Sequence, residues 1–332
     1  MTPTLVFHVG DFKTGTSSIQ ATLARNPDPL LAAGVDYPQP SANRVSHLDL
    51  ALAMRRRHRD DISLLAQFSR NVSNCEVQHV VLSSEVFQES LLGGHDLPGK
   101  ETGVRQQIVY YVRPHTDAFI ARYLQRLKLC KPVGTVDVFL DTAIRYKLFN
   151  FEHRIRIFER QVGEANVVVR PYVKSLLKSQ DVVADFCSLL SLDIKGLELL
   201  PAENVTPGPK AVKSMLLTSK IIDVLNSEQW RENESVLYKL LSKYVAAFKD
   251  DPPIYGLSES LSNRMIELYL SDAEFLDAKL GASVFKSSLL SSSTLKPTIL
   301  DSLVSSMPTD EIISAVSNTI FKHDGLIELV KR

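Results

Sequence analysis

Lys13 stands between two glycines in the run Gly10-Asp11-Phe12-Lys13-Thr14-Gly15-Thr16-Ser17-Ser18, the stretch of the chain best equipped for chemistry. A lysine brings a point positive charge with three donors. Glycine permits backbone angles that a side chain forbids, so Gly10 and Gly15 let the chain turn closely around a ligand. Thr14, Thr16, Ser17 and Ser18 supply hydroxyls and the side chains favoured at a helix start. Upstream, Leu5-Val6-Phe7 with Val9 is an apolar run fit for a strand buried in a parallel sheet. Downstream, Ile19 and Leu23 are four apart, the spacing of one helix face. Strand, lysine-bearing loop and helix N-terminus together predict an anion site, where backbone N–H groups and the positive end of the helix dipole meet the bound group. Turn and cap chemistry alone explains Gly, Ser and Thr at many strand–helix junctions, but not a lysine between the glycines. A Walker A loop carries its lysine after the last glycine, whereas Lys13 precedes Gly15; a shorter loop that holds its anion differently is expected.

The surrounding elements follow from apolar patterning. Strands are expected at residues 5–9, 79–84, 107–112 and 166–170. Helices are expected at 16–26, 28–34 and 47–56, onward through Phe68, at 116–130, over most of 136–160, and from Ala184 to about 191. This alternation implies right-handed crossovers and an α/β fold, a mostly parallel central sheet flanked by helices. The second and third strands end in Ser83-Ser84-Glu85 and in Arg113, and open parallel sheets place ligand groups at such strand ends. Residues 38–46 read as a polar loop leading from Val35-Asp36-Tyr37, and the glycine-rich 90–103 as a mobile segment. After Pro201 the texture turns helical: residues 1–200 read as the α/β core, 201–283 as a helical part completing the same domain. Residues 284–332 read as a Ser-rich linker followed by a C-terminal amphipathic helix or helix pair broken at Gly325, a helical extension that could pack on the domain, cover the cleft or pair two subunits.

Bulk properties bound the function. The 332 residues are 44% apolar and 23% charged, ordinary for a globular chain. Thirty-eight basic residues balance thirty-eight acidic ones, so no global field draws the chain to nucleic acid, and any anion affinity is local. Cys75, Cys130 and Cys187 have no metal-ligand spacing, and no metal cluster is visible; reduced, inert cysteines in a cytoplasmic protein are expected. No signal-peptide pattern opens the chain and no apolar run approaches ~18–20 residues, so no membrane span is expected. The basic run Arg55-Arg56-Arg57-His58-Arg59 reads as a solvated helix face, with an acidic-substrate or lipid contact as the competing reading.

With these residues in place, the chain resembles sulfotransferases that use 3′-phosphoadenosine-5′-phosphosulfate (PAPS), most closely the bacterial and carbohydrate branch. The resemblance rests on His8-Val9-Gly10 leading into Lys13-Thr14-Gly15-Thr16-Ser17-Ser18-Ile19-Gln20. Val81-Leu82-Ser83-Ser84-Glu85 supports it, as do Tyr111-Val112-Arg113 with Tyr123 and Lys128, and Val168-Val169-Arg170-Pro171-Tyr172 with Asp185-Phe186. It covers roughly residues 4–280, and its specificity is concentrated in the first loop. It implies a P-loop-like sulfotransferase fold and PAPS as donor, with no metal. It implies that Lys13 contacts the 5′-phosphosulfate and steadies the leaving oxygen, while Thr14, Gly15, Thr16, Ser17 and Ser18 cradle the same group. Arg113 falls where the family binds the 3′-phosphate. The serine expected eight residues later is Ala121, a missing donor worth ~1–3 kcal/mol if nothing replaces it. Arg122, Lys210 or Lys213 could complete that anchor.

The proton acceptor stays open between two residues. His47 lies ahead of Leu48-Asp49-Leu50, where the family places its His or Glu, and an imidazole with its ordinary pKa of ~6.5 suits the task. Its other reading is a polar cap on a helix start. Glu85, at a strand end beside the loop, is the alternative base. His8 reads as a hydrogen-bonded core residue, and Asp11 must face away from any bound dianion. The family branch implies a sugar hydroxyl on a polysaccharide or glycolipid as acceptor. Two rivals stand beside this reading: a nucleotide-dependent phosphotransferase with an unusual loop, and a non-catalytic member that binds nucleotide or a partner.

Overall fold

The computed structural model describes residues 3–11, 13–38, 45–56, 58–73, 75–129, 134–199, 207–224, 242–251, 256–291, 300–305 and 310–321. Phe12, residues 39–44 of the expected polar loop, Arg57, Cys130 and the 322–332 end of the expected C-terminal helix pair lie outside them.

Five strands form one sheet: β1 (Thr4–His8), β2 (Val35–Asp36), β3 (His79–Ser83), β4 (Arg105–Val112) and β5 (Val167–Pro171). Their order is β2-β3-β1-β4-β5, and every neighbouring pair runs parallel. The fold is α/β, a parallel sheet flanked by helices. β1 lies at the centre, which explains its unbroken apolar run: Leu5, Val6 and Phe7 are all fully buried because both faces of the strand are covered. Around Val6 gather Ile19 and Leu23 of α1 (Thr16–Arg25), and Val182, Val183 and Phe186 of a later helix, in one apolar cluster. Phe7 meets Phe87 edge-on at 5.5 Å between ring centres.

The chain divides into two compact units, Met1–Pro114 with Asn150–Ala202 and Glu274–Ala282, and His115–Phe149 with Glu203–Ala273 and Ser283–Arg332. The first unit holds the sheet, α1, α2 (Pro27–Ala32), α3 (Leu48–Arg56), α4 (Arg59–Ser73) and α5 (Val86–Leu92). The second unit is helical, with α6 (His115–Lys128) and α7 (Val136–Arg145) as its first members. The first unit also holds α8 (Phe151–Val162) and α9 (Val182–Leu189), and the second holds α10 (Pro209–Val224).

Three readings from the sequence need correction, and one gains detail. Val35-Asp36 is a two-residue edge strand rather than the lead into a loop, paired with His79 and Val80 of β3. Ser90, Leu91 and Leu92 are the last turn of α5, not the start of a mobile segment, and Leu97 further along is almost fully buried. The stretch 136–160 is mostly helical as expected, in two helices parted at Tyr146–Asn150, where Lys147 takes a left-handed φ of 51°. In the Ser-rich stretch, Phe285–Leu290 is a helix whose Phe285 and Leu289, four apart, are both fully buried, so this part is packed and not a linker.

Candidate functional site

The strand order reverses direction at β1 and β4: the chain leaves β1 toward β2 and β4 toward β5. Ligands of open α/β sheets bind outside the carboxyl ends of strands at such a switch point. Lys13 follows β1 and Arg113 follows β4.

The loop from β1 to α1 is built by its backbone. Lys13 sits at φ 64° and Gly15 at φ 76°, both left-handed, so the chain makes a compact turn before Thr16 opens the helix. For Gly15 the space is as limiting as the angle: a Cβ there would lie 2.6 Å from Val182 Cγ1 and 3.2 Å from Tyr172 Cε2. Thr14 Oγ1 donates to the Asp11 carbonyl at 2.6 Å and closes the turn internally. Gly15 O accepts the N–H groups of Ser18 and Ile19, while no described residue accepts those of Thr16 and Ser17. These two N–H groups, at the dipole's positive end, are what an anion needs.

Asp11 is turned away from that position. Its carboxylate accepts from Arg154 Nη1 at 3.1 Å and lies 3.5 Å from the Tyr110 hydroxyl, in a buried pocket under the loop. Sequence reasoning missed Arg154, although a signal existed. Phe151, Arg154, Ile155 and Phe158 share one face of α8, so an arginine stands in an otherwise apolar stripe and must have a buried partner.

Arg113 closes the loop from the β4 side. Its Nη1 donates to the Lys13 carbonyl at 3.2 Å, and its guanidinium lies 5.5 Å from the centre of the Tyr172 ring. Tyr172 also backs Gly15, so β5 supplies the wall that both residues lean on. The other guanidinium N–H groups meet no acceptor among the described residues.

The end of β3 lies beside the loop entry, with Ser83 in register with His8 and Ser84 N–H donating to the His8 carbonyl. Ser84 Oγ accepts the Val86 N–H at 3.3 Å and starts α5. Ser83 Oγ lies 2.8 Å from His8 Nδ1 and accepts from Gln20 Nε2 at 3.1 Å. His47 is bound to Ser83 twice: its N–H donates to the Ser83 carbonyl at 2.9 Å, and its Nδ1 accepts the Ser83 N–H at 3.1 Å. Its Nε2 donates to the Pro38 carbonyl at 2.8 Å, and Tyr37 packs edge-on against the ring. Both ring nitrogens are therefore spent on backbone groups, and burial pushes the imidazole's pKa down to about 4. His47 ties Pro38 to the sheet, and in this arrangement has no lone pair to offer a substrate proton.

Glu85 is half-buried at the start of α5, and no described residue donates to its carboxylate. It is near enough to Tyr37 that, after burial, its charge is the second cause holding the tyrosine's pKa above the usual value.

The residues of the late motif, Arg170 and Asp185, form a clamp. Arg170 grips the fully buried Asp185 carboxylate through Nε at 2.9 Å and Nη2 at 2.5 Å, while the Tyr111 hydroxyl and the Lys178 N–H donate to it at 2.8 and 2.9 Å. Burial alone would raise the Asp185 pKa, but these four donors outweigh it and hold the carboxyl below its ordinary range.

Arg122 and Lys210 belong to the second unit. Arg122 is half-buried on α6. Lys210, in the first turn of α10, places its N–H 2.8 Å from Asp251 Oδ2 and its ammonium 4.0 Å from Oδ1 of the same carboxylate. Ala121, on the same helix as Arg122, offers no hydroxyl.

No protein-family model matches the chain, and no curated protein matches it. Among solved structures, a sulfotransferase from Alicyclobacillus acidocaldarius is similar at 15% identity with a TM-score of 0.36, over 71% of this chain and 94% of that one. Among the described residues no helix is long and apolar enough to cross a membrane.

Proposed function

We propose that the chain is a sulfotransferase, moving the sulfuryl group of PAPS to a hydroxyl or amine of an acceptor. One observation carries the reading: two cation-bearing strand ends lie side by side at the switch point, where the Arg113 guanidinium holds the backbone carbonyl of Lys13. A donor with separate 5′ and 3′ anions would use both. Lys13, with the Thr16 and Ser17 N–H groups, would bind the 5′-phosphosulfate and neutralise charge gathering on the leaving phosphate. Arg113 would bind the 3′-phosphate through its remaining N–H groups.

In the transfer, the acceptor oxygen bonds to sulfur as the bond from sulfur to the phosphate oxygen breaks. The acceptor's proton passes to a base, and adenosine 3′,5′-bisphosphate leaves. Glu85 is the base in this reading, since its carboxylate is unengaged while the His47 nitrogens are not. The acceptor class that the sequence resemblance favours is a carbohydrate hydroxyl.

The test is transfer of radiolabelled sulfate from PAPS to a fractionated extract. Lys13→Ala is expected to lower turnover roughly 100-fold or more, the scale of losing one preorganised electrostatic contact. Transfer by that variant at the rate of the unaltered protein would overturn the assignment. Magnesium-dependent ATP hydrolysis would favour a phosphotransferase instead, and no binding of adenosine 3′,5′-bisphosphate a non-catalytic role.

A further inference from the structure

Under the anion loop lies a pair of buried polar atoms. His8 is fully buried and Thr16 nearly so, yet among the described residues neither His8 Nε2 nor Thr16 Oγ1 has a hydrogen-bond partner. Both face one place: a Cβ on Gly10 would stand 3.0 Å from Thr16 Oγ1, 3.1 Å from His8 Nε2 and 3.4 Å from Thr14 Oγ1. Glycine keeps that space open. Two orphaned buried groups in a native core call for a reason, since a donor or acceptor taken out of water without a partner destabilises the fold.

The hydrogen-bond directions supply one. Gln20 Nε2 donates to Ser83 Oγ, so the Ser83 hydroxyl hydrogen is left for the remaining neighbour, His8 Nδ1. That assigns the His8 proton to Nε2 and makes the orphan a donor, directed at Gly10 and Thr16. Tyr111 and Phe186, with ring centres 5.8 and 5.1 Å away, pack the imidazole in place. We propose that His8 is a positioning residue of the anion site: its Nε2–H donates to the Thr16 hydroxyl when an oxyanion binds, so that Thr16 presents its own hydrogen to the anion. The chain then runs one way, from Gln20 through Ser83, His8 and Thr16 to the ligand, and each bond polarises the next. Burial keeps the imidazole neutral, with its pKa pushed down to about 3, so the donor needs no protonation at working pH.

This inference rests on the proposed function only for the identity of the ligand, and two probes separate them. The full chain, with nitrogen-labelled histidine side chains, is titrated with inorganic sulfate and with adenosine 3′,5′-bisphosphate while the His8 Nε2–H resonance is followed by NMR. His8→Gln, which loses that resonance, assigns it. Saturation is expected to move the resonance downfield, and Thr16→Val to abolish the movement. In calorimetry, His8→Phe is expected to weaken bisphosphate binding about tenfold, and His8→Gln, which keeps an N–H near Nε2, to restore most of it. A resonance that sulfate moves, without nucleotide binding, supports the inference and removes the PAPS reading. Bisphosphate binding that leaves the resonance still overturns the inference alone, and binding of neither probe overturns both. If His8→Phe does not fold, the resonance in the unaltered chain and in Thr16→Val decides.

Discussion

Lys13 is held at φ 64°, where a side chain other than glycine costs on the order of 1 kcal/mol. The surroundings impose the angle: Thr14 bonds back to Asp11, Asp11 is anchored by Arg154, and Arg113 holds the Lys13 carbonyl. Strain of this kind persists where it places a group for use. Lys13→Gly is therefore expected to raise the urea midpoint slightly while turnover falls as far as in Lys13→Ala; equal midpoints in the two variants would show that the angle stores no strain. The two base candidates separate in the same way. Glu85→Gln is expected to lower turnover roughly 100-fold or more, at an unchanged midpoint, as loss of a general base does. His47→Gln disrupts the two hydrogen bonds of the ring and is expected to lower the midpoint, with turnover per folded molecule within about tenfold. The reverse pattern would return the base to His47. Residue types pointed to both sites, but only geometry shows that the His47 ring is occupied.

At the scale of elements, α9 and β5 hold the loop's outer wall. Val182 begins α9 against Gly15, with Asp181 capping the helix by accepting the Ala184 N–H at 2.9 Å. The Arg170–Asp185 clamp fastens that helix to β5, and the Tyr111 hydroxyl joins it to β4. Removing one partner of a buried pair leaves the other charge uncompensated, so Arg170→Met is expected to cost roughly 3 kcal/mol in urea unfolding. Pairing it with Asp185→Leu should recover part of that loss, because no buried charge remains. A cost below about 1 kcal/mol for Arg170→Met would mean that the clamp is relaxed or hydrated. Since α9 backs Gly15, under the proposed function the single variant should also raise the KM for the proposed donor more than it lowers kcat. The helices themselves were unevenly legible. Ile19 and Leu23 announced α1 because its buried face is apolar at the right spacing. α5 was hidden because Gln88 and Ser90 share its buried face with Phe87 and Leu91, which breaks the apolar period.

For the molecule as a whole, the parallel sheet was readable because its central strands are covered on both faces and so spell continuous apolar runs. The edge strand β2 was not, since two residues carry no period. Buried histidines were unevenly legible: His8, inside the apolar run of β1, read as the hydrogen-bonded core residue it is, whereas nothing in the sequence shows that the His47 ring is spent on backbone groups. They nevertheless dominate the expected response to acid. In the unfolded chain an imidazole takes up its proton near pH 6.5, but burial delays this to about 4 for His47 and about 3 for His8 in the native protein. Burial, with Arg105 nearby, shifts His79 the same way. Between these values the unfolded chain binds more protons, so stability is complete above pH 6.5 and falls as the pH drops. Two such imidazoles give a loss approaching ~2.7 kcal/mol per pH unit near pH 5. Asp185 does not offset this: its lowered pKa keeps it ionised there, and its contribution is lost only further down, as the pH falls below 3.8 through its folded value. Urea midpoints measured from pH 7.5 to 4.5 should therefore fall steeply, and His8→Gln should fall by about half as much per unit. A midpoint level from neutrality to pH 5 would mean that these imidazoles are charged or solvated in the native protein, and would remove the basis for a neutral His8 donor beneath the loop.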